Sequence, residues 1–132
     1  MIALNYQQKI TLAASLMDFG DYIRWRRQQR HRRYGGYTLH ETAQRVGIGA
    51  TYLSQIECNN LPPPSEAVIR RLAAELGEDS DALLALAGRL ASDVCETIIR
   101  RPVLFAELIR NWGDLSDQEL TERLNKLRNG QW

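Results

Sequence analysis

The stretch Thr38–Glu57, TLHETAQRVGIGATYLSQIE, restricts this 132-residue chain more than any other. Thr38, with Glu41 three residues later, is a capping box that starts a helix. Leu39, Thr42, Ala43 and Val46 recur at helical spacing and make its inner face. Gly47-Ile48-Gly49 is a tight turn, and ATYLSQIE opens a second short helix, held inward by Leu53 and Ile56. Ala43 is small enough for that helix to approach closely, and Ile48 plugs the gap between the two.

Helical signals surround this pair. Asp18 caps a preceding helix with Phe19 and Ile23 on one face, and Gly35-Gly36 breaks it. Asn59-Asn60 ends the ATYLSQIE helix, and Pro62-Pro63-Pro64 is a stiff linker. Ser65 then caps SEAVIRRLAAELG, whose stripe is Val68, Leu72, Ala73 and Leu76. Asp79 or Ser80 caps DALLALAG. The tail continues as SDVCETIIR, VLFAELIRNW and, after a second capping box at Ser116, DQELTERLNKLR. With no strand alternation anywhere, the chain reads as all-α, with about seven or eight helices. Residues 1–17 stand apart as an N-terminal extension, either an added segment or an extra helix.

Charge is segregated. Residues 1–60 hold eight basic and four acidic side chains, the remainder nine basic and twelve acidic, so the net charge of +1 conceals a basic front half. Six arginines fall within residues 24–33 of RWRRQQRHRRYGGY, with no acid among them. That composition points to a polyanion partner for the front half. No apolar run approaches the ~20 residues of a membrane span, and no secretory leader pattern is present. Cys58 and Cys95 are far apart, so a reduced, cytoplasmic protein is expected. His31 and His40 lack ligand-spaced partners, which argues against a metal site. No nucleophile–base pair, paired acids or phosphate-binding glycine loop occurs, so neither an enzyme nor a cofactor is expected. Trp25, Trp112 and Trp132 read as core, interface and tail residues respectively.

Leu53 and Ile56 facing inward leave Ala50, Thr51, Ser54 and Gln55 on the opposite face. Such a helix can enter a DNA major groove while its partner crosses the backbone. Gln pairs with adenine, Thr and Ser bond either base type, and Ala or the Thr methyl touches the thymine methyl. At these residues the chain resembles the Xre/Cro-like helix-turn-helix regulators. FGDYIRWRR is similar to that family's first helix, GYTLHETAQRVGIGATYLSQIE to its second and third, and PPPSEAVIRRLAAELGEDSDALLALAGR to its fourth and fifth. The resemblance spans residues 18–89. It implies a five-helix, lambda-repressor-like DNA-binding domain, usually dimeric, acting on a double-stranded operator as a regulator and more often as a repressor.

Carried over by position, the resemblance makes Ala50, Thr51, Ser54 and Gln55 base-reading residues. Thr38 and Leu39 take the phosphate position at a helix N-terminus, Asn60 lies among the phosphate contacts, and Tyr52 is near the phosphates or partly buried. Glu57 resembles the family's buried acid, paired with Arg27. Three departures stand out. Cys58 and Asn59 occupy the place of a basic residue and glycine, Gly49 replaces a Ser or Thr cap, and HRRYG lengthens the first connection by about five residues. Arg30, Arg32 and Arg33 are therefore expected to supply the missing phosphate contacts, with Arg24 a surface or dimer residue.

Residues 90–132 form a helical tail. Leu104, Phe105, Leu108, Ile109 and Trp112 make an apolar stripe that needs covering, which suggests dimerisation. LAGRLASDVCETIIRRPVLFAELIR also looks similar to the tails of Xre-type repressors that are neighbours of a metallopeptidase. The alternative is an antitoxin or other interaction module whose tail binds a toxin or another partner protein.

Overall fold

Side chains that accept free backbone N–H groups open five of the helices: Asn5, Thr38, Ser65, Asp79 and Ser116. The computed structural model describes residues 3–130, which form nine helices and no strand. These are α1 (Tyr6–Leu16), α2 (Phe19–Tyr34), α3 (Leu39–Val46), α4 (Ala50–Glu57), α5 (Glu66–Leu76), α6 (Ser80–Leu86), α7 (Ser92–Arg100), α8 (Pro102–Trp112) and α9 (Asp117–Arg128). The fold is all-α, as the sequence predicts. The additional helix is α1. Asp18 sits at the α2 N-cap, but its side chain makes no capping bond.

The described residues divide into two compact units after Ala91. In the first, α2–α6 surround one core in which Ile23, Leu53, Ile56, Ile69, Leu72, Leu76, Leu83 and Leu84 are fully buried. Ile10, Ala13 and Met17 of the N-terminal segment pack against the same core. Residues 6–17 thus belong to this unit in packing, although the sequence sets them apart. Arg89 closes the far end by donating from its guanidinium to the carbonyls of Pro63 and Pro64.

A carboxylate fastens α1. Glu78, whose side chain is nearly buried, accepts from the Tyr6 hydroxyl at 2.5 Å and the Tyr22 hydroxyl at 2.8 Å, and pairs with Arg26 Nε at 2.9 Å. The Tyr6 oxygen in turn accepts from the Asp79 N–H. Burial, then the bond to Glu78, pushes the Tyr6 phenol up to about 12, and the same two causes push Tyr22 in the same direction.

Two sequence expectations change here. His31–Tyr34 are not an inserted loop but the last turn of α2, because no helix breaker occurs before Gly35. Trp25 is not a core residue; it is 42% exposed. Trp132 lies outside the described residues.

Gly20 is where α2 meets the end of α4. A Cβ there would lie 2.1 Å from the Ile56 carbonyl oxygen and 2.4 Å from Asn59 Oδ1. The space is occupied because Asn59 Oδ1 accepts the Gly20 N–H at 3.1 Å, while Asn59 Nδ2 donates to Asp21.

The second unit, α7–α9, contains no buried residue. Leu104, Leu108 and Ile109 are exposed, while Phe105 and Trp112 are half-buried. Arg123 lies over the Trp112 ring at 5.7 Å.

Gly20→Ala should destabilise the first unit by about 1–3 kcal/mol, since the close approach cannot relax by moving one flexible side chain; urea melting of the variant measures it. The Tyr6 phenol stabilises as a neutral donor, so its contribution is complete below the unfolded value of 10.0 and is lost as pH rises toward and through about 12. The protection of α1 amides relative to their intrinsic base-catalysed exchange rate should therefore fall over that window, and Tyr6→Phe should lower it already at neutral pH.

Candidate nucleic-acid interface

The turn between α3 and α4 needs a left-handed residue, and Gly47 provides it with φ of 84°. Its N–H and that of Ile48 both donate to the Ala43 carbonyl, which closes α3 and sends the chain back across it. At the other end of α3, Thr38 Oγ1 accepts the Glu41 N–H at 3.2 Å. The Thr38 hydroxyl also donates to the Glu41 carboxylate at 2.7 Å, the main cause of that carboxyl's lowered pKa. The capping box is therefore partly realised, with the carboxylate on the hydroxyl rather than on the cap's backbone N–H. The next amides of α3 remain directed outward at the positive end of the helix dipole.

On α4, Leu53 and Ile56 are buried, while Thr51 and Tyr52 are exposed. Ser54 and Gln55 are half-covered and open on the same side. Ala50 packs against the core on one side and remains partly exposed. Asn60 donates from Nδ2 to Gln55 Oε1 at 3.0 Å. Asn60 thus orients a neighbouring side chain, a role its sequence position did not indicate. The Gln55 amide nitrogen stays available, and its oxygen retains a lone pair for a second donor.

Arg27 grips Glu57 with two parallel bonds, Nε to Oε2 at 2.7 Å and Nη2 to Oε1 at 2.9 Å. The carboxylate is on the last residue of α4, so this fork sets where that helix ends against α2. Arg27 Nη1 donates to the Tyr37 carbonyl at 3.0 Å. Tyr37 was not singled out by its sequence, yet all its groups are engaged. Its N–H donates to His31 Nδ1, its hydroxyl accepts from Arg30, and the guanidinium groups of Arg30 and Arg45 lie over its ring at 5.0 Å and 4.9 Å. Arg45 also pairs with Glu75 and donates to the Gly36 carbonyl. The short connection between α2 and α3 is thereby held from four sides.

The six arginines of residues 24–33 divide accordingly. Arg26, Arg27 and Arg30 are tied into the fold through Glu78, Glu57 and Tyr37. Arg30 was expected at a phosphate. Its guanidinium bonds the Tyr37 hydroxyl and lies over the Tyr34 and Tyr37 rings. Arg24, Arg32 and Arg33 are exposed, and Arg33 lies over the Tyr34 ring.

Arg24 is the residue that sequence reasoning set aside. It lines a depression of about 190 Å³ with Arg27, Leu39, Ser54, Glu57 and Cys58. A cation therefore stands beside Cys58, where the sequence itself lacks one. The available signal was spacing: Arg24 precedes Arg27 by three residues and shares its helix face.

A family model described as a helix-turn-helix domain matches residues 18–87. No curated protein and no solved structure matches the chain.

Arg27→Ala should lower stability by about 3–5 kcal/mol by stranding the buried Glu57 carboxylate. Arg27→Ala/Glu57→Leu should recover much of that loss in the same denaturation measurement; a double variant no more stable than the single one would show that the pair is not the source.

Proposed function

Given that this chain belongs to the helix-turn-helix domain family, of the Xre/Cro-like type, we propose that it is a homodimeric transcriptional repressor. It reads an operator in the DNA major groove with α4 and represses by occupying a promoter. The observation that carries this reading is the open α4 face of Thr51, Ser54 and Gln55, next to the exposed Arg24 and the α3 N-terminus.

In this reading Gln55, oriented by Asn60, addresses adenine, Thr51 and Ser54 bond base edges, and the exposed part of Ala50 touches a thymine methyl. Phosphates are met by Arg24, Arg32 and Arg33, by the α3 amides near Thr38 and Leu39, and by the Tyr52 hydroxyl. Arg30 acts indirectly, by holding Tyr37. The protein works in the cytoplasm. Among the described residues, no helix is long and apolar enough to cross a membrane. The coreless second unit supports dimerisation through Leu104, Phe105, Leu108, Ile109 and Trp112, since exposed apolar surface of this extent is covered in working proteins. A dimer would read two half-sites about one helical turn apart.

The same coreless unit favours one second reading, that of an antitoxin or interaction module whose tail docks on a toxin, metallopeptidase or other partner protein. Co-purification separates them: a stoichiometric foreign partner together with absent operator binding supports this second reading.

Gel shift with DNA from upstream of the gene tests the first. Gln55→Ala should lose about 1–3 kcal/mol of discrimination at one base pair, whereas Arg24→Ala and Arg32→Ala should weaken all sequences alike and each reduce the salt slope by about 1. An unchanged salt slope in both arginine variants would remove them from the phosphate contacts. Leu104→Asp with Ile109→Asp should convert dimer to monomer in sedimentation, leaving the melting of the first unit unaltered.

A further inference from the structure

A cavity of about 360 Å³ lies between α1 and the Trp25 face of α2. This is within the range of small-molecule sites, roughly 300–1,000 Å³. Its walls are apolar, formed by Leu12, Ala13, Leu16, Met17 and Trp25. Leu12, Leu16 and Trp25 are 48%, 72% and 42% exposed, so three large side chains around one hollow remain in water. The proposed DNA-reading face does not use any of them.

The polar end of the cavity has a definite charge balance. Glu78 lines it, but its oxygens are already occupied by the Tyr6 and Tyr22 hydroxyls and by Arg26. That carboxylate is satisfied and neutralised, which leaves little to attract a further cation. Lys9 also lines the cavity and has no ion-pair partner among the described residues. Apolar walls with one uncompensated cation at the rim select an apolar body carrying one negative group. An anionic group gains the Lys9 charge, which a neutral ligand does not use, and an amine would meet that same cation and a carboxylate already paired with Arg26.

We propose that this cavity is a binding site for a small amphipathic anion, a monocarboxylate with an apolar body. The carboxylate lies against Lys9 at the rim, and the apolar body covers Leu12, Leu16 and Trp25. The inference stands apart from the DNA-reading face, and its test contains no DNA, so either can fail alone.

The test is titration of Trp25 fluorescence in the full chain carrying Trp112→Phe and Trp132→Phe, with octanoate, octan-1-ol and octylammonium as probes. Octanoate should produce a saturable change and bind at least fivefold more tightly than either of the other two. Lys9→Gln, at an exposed position outside the core, should weaken octanoate about fivefold, the size of one solvent-exposed ion pair, and leave octan-1-ol unchanged. Equal affinity for octanoate and octan-1-ol, or an octanoate affinity untouched by Lys9→Gln, would overturn the proposal. So would the absence of saturable binding with Trp25 emission that varies with protein concentration, which would assign the cavity to a second copy of the chain.

Discussion

The bidentate bond between Arg27 and Glu57 is the constraint on which the rest of the first unit depends. Neither partner sits on the surface, so each needs the other to justify its burial. The pair gives little net stability relative to two well-packed apolar residues of similar size. Its value is geometric: a planar fork accepts a carboxylate in very few orientations. Because the carboxylate is on the last residue of α4, the direction of that helix is fixed at one end by the pair. Gly47 fixes it at the other.

The pair also reaches beyond α4. The same guanidinium holds the Tyr37 carbonyl, and Tyr37 is where the chain passes from α2 to α3. Arg30, His31 and Arg45 complete the grip on that residue. A dense run of arginines thus serves two purposes that composition cannot separate. Those facing Tyr37 and the two buried acids build the scaffold. Those facing outward, Arg24, Arg32 and Arg33, remain exposed, and Arg24 shares a depression with Ser54 of α4. Basic residues in the front half and acids in the rear keep the whole chain near neutrality while leaving the front half positive.

The all-α class and the α3–turn–α4 pair were legible because each leaves a local or spaced signature: Thr38 with Glu41, Gly47, and inward residues at helical intervals. The pairing of Arg27 with Glu57 leaves none and was implied only by the family resemblance. The end of α2 was legible in Gly35-Gly36, where the helix stops; what differs is HRRYG, read as added connection, because nothing before Gly35 interrupts the helix. The sequence of Tyr37 carries no pattern; its importance arises from four side chains converging from α2 and α3. The surroundings of Arg24 were hidden for a similar reason, since its neighbours Leu39, Ser54 and Cys58 lie on or next to other helices. Packing of α1 was hidden because its link to the core runs through Glu78, some seventy residues away in sequence. Asn60 shows the same limit at short range: its bond to Gln55 depends on side-chain direction, which position alone does not give.

Arg26 and Arg27 are consecutive, and on a helix consecutive side chains diverge by about 100°. One reaches Glu78, which also holds α1, and the other reaches Glu57, which ends α4. The middle of α2 is therefore anchored on two flanks at once, like a shaft keyed in two directions. It cannot turn about its own axis to relieve one anchor without loading the other. Any disturbance of the α1 flank large enough to rotate α2 would be felt at the end of α4, with no moving part between them except a single peptide bond.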